Sequence, residues 1–323
     1  MNGFGAVPNY YLNAGLDHFS SSQDNKAIDV WWWLYVLNNQ EYRRRKKPNP
    51  NMIGGNAVQG DRERSYVNQD DQTITIEPFG VGAYIFHGYT EKKAIDSALQ
   101  YLDDKQHLYD GAELDHFFIV RDRTPLCIQH LIQALKQIKL PDVNKITTET
   151  YCEYQHPDIE ITTIGRTDLI FTEWKRVLEI KTKWFAPDKK GEKDKHGKIK
   201  VKNRYLPSTP EFSHVLQTAF YWKATGLEPY IIYASGKPLT KKDEVGFKIF
   251  TAQNCQDLQP ENLNRMLAFQ RRTQLQRQNI LKLQSDLGLN LEQCTKYVPS
   301  DFSNFMWRDY SSEELREIEK LWE

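Results

Sequence analysis

Asp168, Glu179 and Lys181 are the residues of this chain whose types and spacing could do chemistry. They lie in the segment IGRTDLIFTEWKRVLEIKTKW, where two runs of strand character, 163–171 and 175–181, are separated by a stretch short enough for a hairpin. A turn centred between Glu173 and Trp174 sets Asp168 directly opposite Glu179. Glu-Trp is not a favoured two-residue turn, so a slipped register stays open. Alternation puts Glu179 and Lys181 on one face, which Ile170 and Val177 continue, while Leu169, Phe171, Leu178 and Ile180 fill the other. A strand pair apolar on both sides is expected to be central. Two carboxylates this close repel unless one is protonated or a cation sits between them. Oxygen donors select a hard divalent ion, Mg2+ or Mn2+. Lys181 cannot ligate as an ammonium, but it can orient a water or offset charge on a phosphate. The competing reading is a structural ion pair between Lys181 and either acid. Further on, Gln217 and Tyr221 stand four residues apart on a mostly apolar helix, one above the other on a single face.

The elements that must position these groups follow from the pattern of the chain. The first ~140 residues read as mainly helical with frequent breaks, with helices expected at 24–40, 56–68, 90–106 and 125–138. From about residue 146 the period becomes that of strands, over 145–154, 160–171 and 175–181. A helix over 210–225 stops at Gly226, and two further strands, 229–234 and 245–251, follow. A long polar-faced helix spans 260–287, and a short one 311–322. Strand, strand, strand, helix, strand is the order of an α/β class with a mixed central sheet flanked by helices. The expected division is a helical region over 1–140, a core over 141–256 and a helical extension over 257–323.

Composition limits the function classes. Of 323 residues, 39% are hydrophobic and 27% charged, enough apolar material for a packed core, which excludes disordered and collagen-like architectures. No apolar run approaches the ~20 residues of a membrane span, and the opening MNGFGAVPNYYLNAG lacks the layout of a signal peptide. A soluble, cytoplasmic protein is expected. The four cysteines, at 127, 152, 255 and 294, form no CxxC, and the eight histidines form no HExxH, so a zinc enzyme is not indicated. The net charge of zero hides an asymmetry: 43–47 is Arg-Arg-Arg-Lys-Lys, and 181–204 holds ten Lys or Arg against three Asp or Glu. Such a distribution suits a highly charged partner, or two solvated loops.

Together, Gly165…Asp168, Glu179-Ile180-Lys181 and Gln217…Tyr221 resemble the PD-(D/E)xK nuclease superfamily, in its RecB-type and lambda-exonuclease-like branch. The likeness covers residues ~146–235. It implies that Asp168, Glu179 and the Ile180 carbonyl hold Mg2+ or Mn2+, that Lys181 positions the attacking water, and that Gln217 and Tyr221 orient Lys181 and the DNA phosphate. The implied reaction is metal-dependent hydrolysis of a phosphodiester. Upstream, Gln59 stands where the family often has a histidine, and Glu63 follows one turn later; either is a candidate further ligand, as is Glu153 on the preceding strand. The cysteine spacing gives no expectation of an iron–sulfur cluster. The stretches Gly55 to Gln59, Ala224 to Tyr233 and Phe305 to Trp322 are similar to those of compact bacteriophage exonucleases. That likeness implies a role in phage recombination, replication or DNA degradation in the host cytoplasm, alongside a recombination or single-strand-binding protein.

DNA, as single- or double-stranded ends, is the expected partner. Lys183, Lys189, Lys190, Lys198, Lys200, Lys202 and Arg204 follow the Glu-x-Lys motif directly and can contact phosphates without reading sequence. Trp184, Phe185 and Tyr205 can stack on bases, and Arg43, Arg44 and Arg45 can line the far side of a cleft. The competing reading of this loop is a linker that never touches DNA. Trp31, Trp32 and Trp33 read as core, and Arg271, Arg272 and Arg277 as a solvated helix face. Two other function classes stay open: a DNA-binding module with an inert nuclease fold, and a site-specific endonuclease.

Overall fold

The period-2 stretch after residue 146 forms the middle of a mixed sheet. A computed structural model describes residues 7–37, 48–60, 64–67, 73–184, 186–187, 201–202, 205–239, 245–303, 307 and 312–322. In chain order the strands are β1 (Phe19–Ser20), β2 (Arg64–Val67), β3 (Thr73–Ile76), β4 (Ile146–Tyr154), β5 (Thr163–Phe171), β6 (Arg176–Lys183), β7 (Ala186–Pro187), β8 (Val201–Lys202), β9 (Glu228–Ser235) and β10 (Phe247–Phe250). The helices are α1 (Asn9–Asn13), α2 (Ile28–Trp32), α3 (Pro50–Gln59), α4 (Gly80–Phe86), α5 (Glu91–Lys105), α6 (Gly111–Gln137), α7 (Phe212–Thr225), α8 (Pro260–Asp286), α9 (Leu291–Thr295) and α10 (Ser312–Glu319).

β4, β5 and β6 are antiparallel neighbours, β9 joins β6 in parallel through the α7 crossover, and β10 closes the edge antiparallel to β9. Of the registers left open, the hairpin takes the unslipped one: Leu169 pairs with Leu178, Ile170 with Val177 and Phe171 with Arg176. The turn is longer than the two residues considered, and Lys175 closes it in the left-handed conformation at φ 52°. After three pairs β5 and β6 part. Further along, the same edge of β5 pairs in parallel with β1, a strand of two residues that alternation is too short to reveal.

Both faces of the sheet are covered. On one side Leu169, Phe171, Leu178, Ile180, Ile232 and Ala234 pack against Ile53, Ala57 and Val58 of α3 and the apolar stripe of α6. On the other, Ile170 and Val177 pack against Phe220 and Tyr221 of α7, and Ile231 and Tyr233 against Val215, Ala219 and Leu263. This is the expected α/β architecture of a central sheet between helical layers.

Several expected elements are corrected. Residues 56–68 are not one helix: α3 begins at Pro50, capped by Asn49 accepting from the Asn51 amide, and ends at Gly60 with φ 69°; the chain is extended again at β2. Gly54 lies inside α3, where a Cβ would stand 2.2 Å from Val120 Cγ1 of α6; the glycine allows the close crossing. Residues 125–138 are the second half of α6, which runs through Pro125. Of the helix expected over 24–40, α2 starts only at Ile28 and continues as a π-helix over Trp33–Leu37, and 38–40 lie outside the described residues. Trp31 and Trp32 are core residues, as expected.

Arg277 is not on a solvated face. It is fully buried, donates to Asp24 Oδ1 at 2.9 Å and to the Gln23 carbonyl at 2.9 Å, and lies over the Trp31 ring. Gln270 and Gln274, spaced along the same face of α8, donate to Asp24 Oδ2. Thr163 of β5 donates to Gln274, so this polar network ties the N-terminal segment, the C-terminal helix and the sheet together. These bonds are what make burying the two charges tolerable, although the Arg277 Nε–H itself has no partner.

Candidate functional site

The site lies in the fork where β6 leaves β5. The main-chain ladder between the two strands stops at Leu169 and Leu178. Asp168 replaces the next rung: its Oδ2 accepts the Ile180 amide at 2.5 Å. The Ile180 carbonyl accepts from Gln59 Nε2 at 2.9 Å, and the same amide nitrogen is 3.4 Å from Asp168 Oδ2. The two oxygens expected to grip a cation are therefore bridged by the donor group at the end of α3. For Gln59 to ligate, its amide must turn over so that Oε1 faces them.

Glu179 and Lys181 point to the α7 side of β6. The Lys181 ammonium pairs with Glu179 Oε1 and donates to Gln217 Oε1 at 3.3 Å. Gln217 Nε2 donates to the Tyr221 hydroxyl, and that hydroxyl donates to the Arg166 carbonyl at 2.6 Å. One face of α7 thus braces the lysine against the parted edge of β5. Gly165 makes this possible: a Cβ there would lie 2.5 Å from Phe220 Cε1 and 3.0 Å from Tyr221 Cε1.

Burial sets the electrostatics. Asp168 is held well above the usual carboxylate range, by burial first and then by the Glu179 charge. Glu179 is also raised, by burial, although Lys181 opposes the shift. Burial pushes Lys181 down, but the Glu179 and Asp168 carboxylates outweigh it and its pKa is raised. The Tyr221 phenol is raised well above its ordinary value, by burial and then by Glu179 and Asp168. Glu179 is 2% exposed, and its Oε2 makes no hydrogen bond. A buried carboxylate oxygen without a donor is costly unless something positive reaches it.

This donor set is all oxygen, which fits a hard cation. Asp168, Glu179 and the Ile180 carbonyl would hold it. Among the described residues no three His, Cys, Asp or Glu side chains are grouped to hold a metal by themselves, so the carbonyl and water would have to contribute.

The remaining sequence candidates divide. Trp184 is corrected: it is 4% exposed, packed in the core beside Gly54 and Gly236, with Nε1 donating to Thr182 Oγ1, and is no platform for a base. Lys183 pairs with Glu211, itself on the approach to α7. Glu153 stands opposite Ile164, four steps along β4 from the level of Asp168, or about 13 Å; it is exposed and away from the fork. Tyr205 is 72% exposed, with the Lys237 ammonium over its ring. Glu63, Arg43, Arg44, Arg45, Phe185, Lys189, Lys190, Lys198, Lys200 and Arg204 lie outside the described residues, and of Lys202 only the backbone is described, in β8.

Two site neighbours were missed. His214 lies one turn before Gln217, with Nδ1 at 2.7 Å from the Tyr233 hydroxyl and Nε2 at 3.8 Å from Glu211 Oε2. Its pKa is pushed down to about 3, by burial and then by Lys181. Its place in the helix period with Gln217 was the available signal. Glu149, on β4 beside Asp168, carried no such signal.

No protein-family profile matches the chain, and no curated protein matches it. Among solved structures, one titled "Crystal structure of SSO0001" aligns over 67% of this chain and 80% of its own, at 13% identity and a TM-score of 0.29. A likeness that low carries no argument. Among the described residues no helix is long and apolar enough to cross a membrane.

Proposed function

We propose that the protein is a metal-dependent deoxyribonuclease of the PD-(D/E)xK type, acting on DNA ends. The observation that carries this reading is the Lys181 ammonium, held between Glu179 and the Gln217–Tyr221 pair beside a carboxylate oxygen that lacks a donor. A purely structural ion pair would not require a buried acid with one oxygen unsatisfied, nor a second acid, Asp168, inside the same fork.

Mg2+ or Mn2+ bound by Asp168, Glu179 and the Ile180 carbonyl would supply Lewis acidity toward a phosphoryl oxygen and make water a better nucleophile at neutral pH. Lys181, charged because the two acids raise its pKa, holds the water lone pair in line and offsets charge on the phosphate. Gln217 and Tyr221 fix the direction of the ammonium. Water would add to phosphorus as the bond to the leaving oxygen breaks; the water proton passes to solvent or a phosphate oxygen and the leaving oxygen takes one from solvent, giving a phosphomonoester end and a hydroxyl end. No covalent intermediate with the chain is required. The basic stretch after Glu-x-Lys supports a polyanionic substrate through charge alone.

One observation favours a second reading, an inert DNA-binding module: the Gln59 amide nitrogen sits on the Asp168 and Ile180 oxygens where a cation would be gripped. Incubating the protein with end-labelled linear and covalently closed circular DNA, with and without Mg2+, separates the readings. Loss of linear DNA alone supports an exonuclease, loss of both an endonuclease. DNA binding without cleavage would leave the inert module.

A further inference from the structure

β4 and β5 keep one register from Ile146 against Phe171 to Tyr154 against Thr163, and the paired residues skip a single step: Glu149, which faces Asp168. At that step Glu149 adopts φ 49°, the left-handed conformation, in the middle of a strand. For a residue with a Cβ this costs about 1–2 kcal/mol. Its carboxylate accepts from Arg166 Nη1 at 3.0 Å, an ion pair at a partly exposed position that offsets little of that cost. Glu149 also lines a cavity of about 30 Å³ with Gln59, Asp168, Leu169 and Ile180. That is room for one or two waters. Independently, Glu179 Oε2 is buried without a donor even though Lys181 pairs with Oε1, so one oxygen of that acid is left for a further positive group.

We propose that Glu149 is a third acidic group of the site, a positioning residue that holds water on the divalent cation rather than ligating directly. Mg2+ is bound through one or two carboxylates and keeps several waters. Glu149, across a water-sized cavity from Asp168 and Ile180, is placed to accept hydrogen bonds from such waters. Arg166, two residues before Asp168, fixes the orientation of that carboxylate. The left-handed backbone takes Glu149 out of the ladder at the step that borders this cavity. This inference rests on the cation site proposed above.

The test measures Mn2+ binding by electron paramagnetic resonance, with metal-free melting temperatures, for the wild type, Glu149→Gln, Glu149→Gly and Asp168→Asn. Glu149→Gln is expected to weaken Mn2+ binding about tenfold, with Asp168→Asn losing it. Glu149→Gly, which relieves the backbone, is expected to raise the metal-free melting temperature while weakening Mn2+ equally. Wild-type affinity in both Glu149 variants, with Asp168→Asn defective, would overturn the role of Glu149 and leave the cation site standing. A metal-free melting temperature lowered in both, with affinity unchanged, would make Glu149 a partner of Arg166 only. No Mn2+ binding by the wild type would overturn the site and this inference together.

Discussion

The Asp168 carboxylate accepts the Ile180 amide at 2.5 Å, standing in for the rung that β5 and β6 would otherwise form. A side chain thus closes the end of a hairpin whose main chains have parted, and the parting leaves the Ile180 carbonyl facing the end of α3 rather than another strand. The fork is what allows two acids on adjacent strands, a main-chain oxygen and an ammonium to share one small volume.

Tyr221 donates to the Arg166 carbonyl and receives from Gln217, which in turn accepts from Lys181. Tyr221→Phe is expected to lower cleavage rate at least tenfold while costing about 1–2 kcal/mol of stability, since the Arg166 carbonyl, part-buried in this bond, loses its donor. Single-turnover cleavage and a urea melt check the two halves. Unchanged turnover would show that the phenol only supports the fold.

Gly165 lets α7 approach the sheet. In Gly165→Val the new side chain meets Phe220, Ser21 and Tyr221 inside contact distance. Overpacking of this kind costs about 1–3 kcal/mol, and α7 has to move, taking Gln217 and Tyr221 with it. The expected result is a folded protein with a lowered melting temperature and cleavage reduced further than in Tyr221→Phe.

His214 gives a pH dependence. Its pKa is pushed down to about 3 by burial and by Lys181, against about 6.5 in the unfolded chain. The folded state therefore binds fewer protons, and the stability His214 contributes is present above pH ~6.5 and lost as pH falls toward 3. His214→Gln removes that titration. Between pH 6.5 and 4.5 its stability is expected to fall less steeply than the wild type, by up to about 1.4 kcal/mol per pH unit. Parallel slopes in chemical melts would contradict the burial of a neutral imidazole.

Arg277→Met strands the buried Asp24 carboxylate, which burial already pushes up to about 6 against the pull of Arg277. The expected loss is about 3–5 kcal/mol, and a double variant, Asp24→Leu with Arg277→Met, is expected to recover at least half of it. Equal instability of the single and double variants would show that the glutamines, not the ion pair, carry the network.

The hairpin and the split of its side chains between two faces were legible because alternation over nine and eight residues leaves little choice; its register stayed open in the sequence, because alternation allows a slip by two and the turn is longer than Glu-Trp alone. The α7 stop at Gly226 was legible for the same kind of reason: the residue takes φ 70°. What was not legible depends on partners distant in sequence. Arg277 reads as a surface charge until Asp24, 253 residues away, is placed beside it. Trp184 reads as a base platform because it follows the motif, yet Gly54 and Gly236 open a pocket for it in the core. Pro125 reads as a helix start, while α6 carries it in its interior. The left-handed backbone of Glu149 has no marker in its residue type.

The central claim is that a divalent cation and the Lys181 ammonium act together on a phosphodiester. Its most direct test is cleavage of linear DNA by chelated protein, with Mg2+ or Mn2+ then restored, in the wild type and in Lys181→Ala. The account predicts no cleavage after chelation, recovery in the wild type on adding either ion, and none in Lys181→Ala although its melting temperature shows a folded chain. Cleavage that survives complete chelation, or a Lys181→Ala protein that cuts at the wild-type rate, would contradict it.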